Sequence, residues 1–388
     1  MNRHGMDSRL RGARILFVFG NLELGGAERQ GLMLADFLKR AHGADVRVMG
    51  LQEAPGRLSQ LCEEAGIPWQ GIRLTWQWGH RHLLANLREL RRVAALLRKE
   101  KPDLLMPYTF FPNLICGVVW RFSGARLCIW NQRDEGIFLV PEFWRSLAAR
   151  MTPYFISNSA RGRDALLEAF SISPGKVEVI RNGVSPGIAQ SGRREWRERL
   201  GVADDSFVAC MVANIHAHKD HETLLRAWRN LVSGLPTGLP APVLLLAGRV
   251  DQGDAVKELA ASLALHGSVR FLGEIDDVAG LLGAADICMH SSRSEGLPNA
   301  VLEAMASGLP VAATDIPGIR EAVGPQGYRF LAPAGDPQAL ADRVGALLLD
   351  PALRSGVGEL MRERVARRFD VAVACKKTAS LIAGRWPR

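Results

Sequence analysis

Short runs of unbroken apolar residues alternate with longer amphipathic stretches along nearly the whole chain. A strand with one face in water alternates apolar and polar residues, so an unbroken run signals a strand covered on both faces. That is the strand type of a parallel sheet with helices on each side. Residues 14–19, Arg-Ile-Leu-Phe-Val-Phe, form the first such run. A glycine-rich segment, 20–26, and an amphipathic helix from residue 27 to about 41 follow it. Strand, glycine loop and helix make the phosphate-binding opening of a nucleotide fold. Further strands are expected at 45–51, 67–74, 103–106, 127–131, 154–157 and 177–180, with helices at 58–65 and 82–100. Residues 184–200 break the series: Ser185-Pro186-Gly187 and Ser191-Gly192 interrupt structure, and 193–200 is charged and helical. A second series then gives strands at 207–212, 243–247, 269–271, 287–290, 311–313 and 328–331, with a Gly/Pro-rich surface loop over 231–242 and a closing helix over 370–381. The expected architecture is two Rossmann-like α/β domains, each a parallel sheet with helices on both faces. A chain of 388 residues exceeds what one hydrophobic core usually serves, which agrees.

The most informative stretch lies late in the second series. Residues 291–303 read Ser-Ser-Arg-Ser-Glu-Gly-Leu-Pro-Asn-Ala-Val-Leu-Glu. Proline suits the first helical position because its missing N–H would have no partner there, and Gly308 followed by Pro310 supplies a stop. Glu295 then falls in the loop before a helix and Glu303 inside it, and from Pro298 to Glu303 the rise is roughly 7–8 Å. A helix N-terminus, with its amides and positive dipole end, lies between the two acids. Acid, anion site, acid suits a ligand built as polyol, diphosphate, polyol. Glu-x7-Glu alone fits an ordinary solvated helix equally well. The buried runs on either side place it instead where open α/β sheets bind ligands, at the carboxyl end of a strand.

These residues carry a resemblance. Gly25-Gly26-Ala27-Glu28-Arg29, Val179-Ile180-Arg181-Asn182-Gly183-Val184, Val212-Ala213-Asn214 with Lys219-Asp220-His221, and Ser294-Glu295-Gly296-Leu297-Pro298 through Glu303-Ala304-Met305-Ala306 occur in the order of the GT-B retaining glycosyltransferases of family 4. That large group includes many bacterial lipopolysaccharide and exopolysaccharide sugar transferases. The resemblance implies two domains facing across a cleft. The acceptor-side domain is residues 1–184 with 370–388 crossing back as a helix, and the donor domain is 185–369. It implies transfer of a sugar from a nucleotide-diphosphate donor to a glycan or polyprenyl-linked glycan, with the anomeric configuration retained.

The same resemblance assigns roles. Lys219 neutralises the donor diphosphate, where charge develops as the sugar–oxygen bond breaks. Glu295 holds donor-sugar hydroxyls and Glu303 ribose hydroxyls. Backbone amides of Leu297, Asn299 and Ala300 are phosphate contacts, within the run from Gly296 that Pro298 joins without an amide to offer. Gly25 and Gly26 let the first-domain backbone come close to a ligand, although a plain tight turn explains a double glycine equally. Relatives often carry an arginine shortly before the lysine. Here Asn214 and His216 stand instead, and Arg249 or Arg293 could supply the charge. A histidine common after the 103–106 strand is replaced by Tyr108, which is no ready base near neutral pH. A front-face mechanism, in which the leaving phosphate accepts the acceptor's proton, tolerates that change. Asn113 and Arg133 are further acceptor-side candidates, with a salt bridge from Arg133 to Asp134 or Glu135 as the alternative. No Asp-x-Asp occurs, so no metal and no cofactor are expected.

Charge and cysteines bound the setting. Net charge is +9, and residues 1–180 carry 25 Lys+Arg against 17 Asp+Glu, while 181–388 carry 24 against 23. The basic first half points to an anionic partner, or else to an arginine-rich genome. Residues 81–101 read as an amphipathic helix rather than a basic tail, and no nucleic-acid motif occurs, so a membrane surface or lipid-linked phosphate is preferred over nucleic acid. Six scattered cysteines give no disulfide or metal framework. Beside Arg3, Arg9, Arg11 and Arg14 the apolar run 15–19 is too short for a signal segment, and the uncharged stretch 104–120 is short for a span and holds two prolines. A cytoplasmic protein, with peripheral contact at the inner membrane face, is expected. Three rivals remain: a nucleotide-sugar epimerase of the same fold, a non-catalytic nucleotide-sugar-binding subunit, and a dinucleotide-dependent dehydrogenase. The last is disfavoured because 20–26 lacks Gly-x-Gly-x-x-Gly.

Overall fold

A computed structural model describes residues 9–249 and 253–387; Arg3 lies outside them. The chain divides into two compact units, residues 1–183 with 372–388 and residues 184–371.

The first unit is built on β1 (Arg14–Phe19), α1 (Gly26–His42), β2 (Asp45–Gly50), α2 (Arg57–Glu64), β3 (Trp69–Gly71), α3 (Leu83–Lys99), β4 (Leu104–Pro107), α4 (Phe110–Val119), β5 (Leu127–Gln132), α5 (Phe143–Met151), β6 (Tyr154–Ser157), α6 (Ala160–Phe170) and β7 (Val177–Val179). Its seven strands lie in the order β3-β2-β1-β4-β5-β6-β7, and every pairing is parallel. The apolar runs are buried as expected: Phe17, Val18 and Phe19 are fully enclosed. Strand order reverses between β1 and β4, so the loops leaving these two strands diverge and open a crevice at their carboxyl ends.

The second unit repeats the plan with α7 (Arg193–Arg199), β8 (Val208–Val212), α8 (His221–Gly234), β9 (Val243–Ala247), α9 (Gly253–Ser262), β10 (Val269–Gly273), α10 (Val278–Ala284), β11 (Ile287–His290), α11 (Asn299–Ala306), β12 (Val311–Thr314), α12 (Pro317–Val323), β13 (Leu331–Ala332), α13 (Pro337–Leu349) and α14 (Pro351–Arg368). Its order, β10-β9-β8-β11-β12-β13, is again all parallel, with the reversal between β8 and β11. The closing helix α15 (Val371–Arg385) is held in the first unit. Arg9 and Arg126 donate to the carbonyls of Ala383 and Pro387 at 3.0 and 3.1 Å, and Arg385 lies 4.5 Å from the Tyr154 ring.

Three expectations need correction. Tyr328 is not in a strand: Pro325 starts a 3-10 turn, Pro325–Phe330, and only Leu331–Ala332 pairs. The loop expected from 231 begins after Gly234, because Leu231 continues the buried face of α8 and is 6 % exposed. Pro298 precedes its helix by one position, with ψ at 111° rather than a helical value.

The start of β8 and the start of β11 are pinned by one buried cation. Arg197, 1 % exposed, donates to the carbonyls of Ala203, Asp204, Ser206 and Ala284 and to Asp286 at 2.9–3.1 Å. Asp286 in turn accepts the Val208 amide at 2.7 Å. Removing one partner of a buried pair leaves an uncompensated charge and costs about 3–5 kcal/mol, whereas exposed pairs contribute about 0–1. Arg197→Met is therefore expected to lower the urea midpoint strongly. Arg194→Met, which breaks the exposed pair with Glu198, is the control and should leave it nearly unchanged. Equal shifts would contradict this account of the buried arginine.

Candidate active site

The β8/β11 reversal in the second unit gathers most of the charged candidates. After β8 the chain makes a 3-10 turn, Ala217–Lys219, and enters α8 through Asp220, whose φ is +47°. The shape of this turn is held from the β11 side. The Ser291 hydroxyl donates to the carbonyls of Lys219 and Asp220, both at 2.9 Å. The Ser292 hydroxyl donates to the His218 carbonyl at 2.9 Å. Ser292 is itself fixed through its amide and carbonyl to the Thr314 hydroxyl. Asp220 accepts from Thr223 at 2.8 Å and from Arg293 at 3.3 Å.

The Lys219 ammonium meets the Glu295 carboxylate in an ion pair. The side chains are 21 % and 13 % exposed, so the pair is mostly withdrawn from water. His290, the last residue of β11 and fully buried, sets its Nε2 3.4 Å from the same carboxylate oxygen. Burial opposes ionisation of Glu295, but Lys219 and His290 together more than outweigh it and bring its pKa down to about 2. Burial lowers the pKa of His290 and takes that of the neighbouring His221 to about 4, so both imidazoles are neutral near pH 7. A carboxylate held ionised while mostly withdrawn from water is an acceptor for hydroxyl donors. The Glu295 backbone is wedged in place: a Cβ on Gly318, at the start of α12, would lie 2.3 Å from the Glu295 carbonyl oxygen.

The rest of the motif follows. Gly296 and Leu297 are buried, and Leu297 joins the core. Pro298 caps α11 without a side-chain bond, Asn299 and Ala300 open the helix half-exposed, and Glu303 stands one turn in, half-buried. Asn214 is a bracket between loops. Its side-chain oxygen accepts the Arg249 amide at 3.1 Å, and Gly248 passes so near Ala213 that a Cβ would lie 2.1 Å from its carbonyl. His216 caps the lysine turn, its ring 5.9 Å from that of His218. Arg293, offered above as a replacement charge, is engaged with Asp220.

In the first unit the β1/β4 reversal gathers the remaining candidates. Gly25 caps α1 and Gly26 begins it. Neither has a positive φ. A Cβ on Gly25 would lie 2.6 Å from the Glu28 carboxylate, the flexible end of a side chain that can turn aside. That carboxylate turns back toward the Gly25 and Glu28 amides, while burial raises its pKa. Tyr108 is fully enclosed between Phe17, Phe19 and the Arg133 guanidinium, which stands 4.6 Å over its ring. Its pKa is raised by burial, which removes it further from base chemistry. Next to it Thr109 sits at φ +69°, a strained value for a β-branched residue.

Two acceptor-side candidates make hydrogen bonds within the protein. Asn113 spends its amide on the Asn131 backbone, at 2.8 and 3.0 Å, as a buried brace. Arg133 takes neither carboxylate alternative: it bonds Asn131 at 2.9 Å and Asn182 at 3.1 Å. His290 and Gly318 were not anticipated, nor were the bracing roles of Ser291, Ser292, Asn131 and Asn182. A histidine closing a strand directly before the Glu295 loop was the available signal for the first. The Ile-Pro-Gly of residues 316–318 was the signal for the second.

Comparison with known proteins adds to this geometry. The model described as Glycosyltransferase Family 4 matches residues 24–187, and that described as Glycosyl transferases group 1 matches 192–364. The N-acetyl-alpha-D-glucosaminyl L-malate synthase of Bacillus anthracis is 28 % identical over 45 % of this chain and 45 % of its own. The UDP-Gal:alpha-D-GlcNAc-diphosphoundecaprenol alpha-1,3-galactosyltransferase of Escherichia coli is 24 % identical over 61 % and 64 %. The chain thus spans about half to two thirds of the length of these relatives. The crystal structure of Anabaena HepE in complex with UDP and glucose superposes with a TM-score of 0.80 at 23 % identity, covering 96 % of this chain and 100 % of that one. That likeness establishes the shared fold.

Glu295 links the site to stability. Its folded-state pKa of about 2 lies below the ordinary 4.5, so its contribution is present above about pH 4.5 and is lost as pH falls through 2. The depression corresponds to on the order of 3 kcal/mol. Glu295→Gln should be less stable than the parent by about that amount near neutrality, and the gap should close in acid, as read by urea unfolding across pH. A gap independent of pH would contradict the assignment.

Proposed function

We propose, since the chain belongs to the family 4 glycosyltransferases of GT-B fold, that it moves a sugar from a nucleotide-diphosphate donor to a hydroxyl of a glycan or lipid-linked glycan, with retained anomeric configuration, in cell-surface polysaccharide synthesis. The observation that carries this reading is the Lys219–Glu295 pair beside the α11 N-terminus at a sheet reversal. On arrival of the donor, its diphosphate takes Lys219 as counter-charge and the α11 amides as hydrogen-bond donors. Glu295, released from the lysine and still ionised, accepts hydroxyls of the transferred sugar. Glu303, one turn along, accepts the ribose hydroxyls.

In the transfer step the bond from the anomeric carbon to the phosphate oxygen breaks, and a bond to the acceptor oxygen forms on the same face. The acceptor's proton passes to the departing phosphate. Lys219 is placed to stabilise the negative charge gathering there. Support for a step without a protein base comes from the buried Tyr108 and from His290, which is enclosed and turned to Glu295. The reading requires no metal or cofactor: the charge of the diphosphate is met by the lysine and the helix end. Buried thiols such as Cys116, Cys128, Cys210 and Cys288 suit a reducing, cytoplasmic setting.

A thermal-shift screen against UDP-, GDP-, ADP- and dTDP-sugars, with and without EDTA, tests the assignment. One nucleotide class should raise the melting temperature of the parent equally under both conditions, and far less that of Lys219→Ala and Glu303→Ala. Equal shifts in all three proteins, or a shift abolished by EDTA, would contradict it.

A further inference from the structure

Glu295 has two partners of unequal mobility. Lys219 and His290 both reach its Oε1, and Oε2 carries neither contact. The ammonium ends a flexible aliphatic stem and can be drawn to another anion. The imidazole has no such freedom: His290 closes β11, pairs with Ala313 of β12 and is fully buried. Its Nε2 stands 3.4 Å from Oε1. That is long beside the usual reach of a hydrogen bond to a charged oxygen, about 2.7–2.9 Å, and the oxygen it faces is the one the lysine holds. The other ring nitrogen decides the tautomer. Nδ1 is buried and, among the described residues, has no hydrogen-bond partner. With the proton on Nδ1, a buried N–H would go unmet and the Nε2 lone pair would face a carboxylate oxygen. With the proton on Nε2, the unmet atom is a bare acceptor and the N–H points at the charge, which is the stable arrangement. Burial keeps the ring neutral, so this N–H is its one donor.

A donor diphosphate that takes Lys219 leaves Glu295 mostly withdrawn from water and without its cation. A carboxylate in that position swings or takes up a proton unless another donor holds it. We propose that His290 is the positioning residue for Glu295: its Nε2–H keeps Oε1 when the lysine leaves, fixes the plane of the carboxylate and presents Oε2 to a hydroxyl of the transferred sugar. The hydrogen bond shortens as the lysine's claim on Oε1 ends. Because the histidine acts through Glu295, it affects how the sugar is held and not how the nucleotide is held. The role rests on the donor-site reading given above, and the two are separable by the choice of ligand.

The test is calorimetric titration of the parent, His290→Gln and His290→Leu with UDP, GDP, ADP and dTDP and with the matching nucleotide-sugars. Glutamine brings an amide N–H close to the place of Nε2; leucine fills the space and offers no donor. For the nucleotide class that the parent binds, His290→Leu should bind the nucleoside diphosphate as the parent does and the nucleotide-sugar about tenfold more weakly. His290→Gln should recover most of that loss. Nucleotide-sugar affinity unchanged in His290→Leu, equal weakening for both ligands, or a glutamine variant no better than the leucine one would overturn the role of the histidine. A parent that binds no nucleotide-sugar would overturn the donor-site reading instead. Spectra of the parent carrying 15N-labelled histidine, assigned with His290→Gln, read the tautomer with no ligand and no dependence on the folding of the leucine variant. A neutral ring protonated at Nε2 is expected, and one protonated at Nδ1 would overturn the proposal.

Discussion

The Lys219 ammonium and the Glu295 carboxylate reach one another from loops on different strands, and much of the surrounding polar structure serves that meeting. Two ions withdrawn from water are costly unless their geometry is fixed and their remaining capacity is used. Ser291 and Ser292 fix the lysine's loop by its carbonyls, Gly318 leaves room for the glutamate's backbone, and His290 takes part of the carboxylate's remaining capacity. The desolvation of both ions is thus met in folding rather than at ligand binding. On the proposed reading a diphosphate has only to exchange with the carboxylate for the lysine, and the exchange leaves Glu295 ready for hydroxyls. The site is then preorganised for charge in the sense that matters for catalysis.

The two units share one plan yet furnish their sheet reversals differently. The second unit places ions there. The first places a network of amides around one arginine: Asn113 holds the Asn131 backbone, and Asn131 and Asn182 both accept from Arg133, which also covers the enclosed Tyr108. Gln30 ties α1 to this network by exchanging hydrogen bonds with the Gly183 backbone at 2.8 and 3.2 Å. A reversal of amides around a single guanidinium suits a hydroxylated acceptor, and one built on a lysine–carboxylate pair suits a diphosphate. That division of labour is part of the proposal for the transfer reaction.

Much of the architecture was legible because a buried parallel strand is an unbroken apolar run with abrupt ends. Residues 14–19, 154–157, 243–247 and 287–290 are strands with the expected limits. Errors fell where punctuation competed with pattern. Leu231 looked like the start of a Gly/Pro loop but belongs to the apolar face of α8, and Tyr328 followed a proline that winds the chain into a 3-10 turn. The Glu295–Glu303 motif placed its own loop and helix, yet the partner of Glu295 lies 76 residues away in sequence. No local pattern reports such a pairing. His290 was hidden for a related reason: in sequence it is one more residue of a buried strand, and only its neighbours reveal its ring against a carboxylate. The Arg133 contacts were missed because adjacent carboxylates are the obvious partners for an arginine, whereas the fold delivers an asparagine 49 residues on.

The central claim is that the Lys219–Glu295 pair marks the seat of a donor diphosphate. A crystal structure with a bound nucleotide-sugar addresses it most directly. The account predicts phosphate oxygens at about 2.7–2.9 Å from the Lys219 ammonium, with the α11 N-terminus on their other side and the Glu295 carboxylate turned to sugar hydroxyls. A nucleotide-sugar bound elsewhere, with lysine and glutamate still paired, would contradict it.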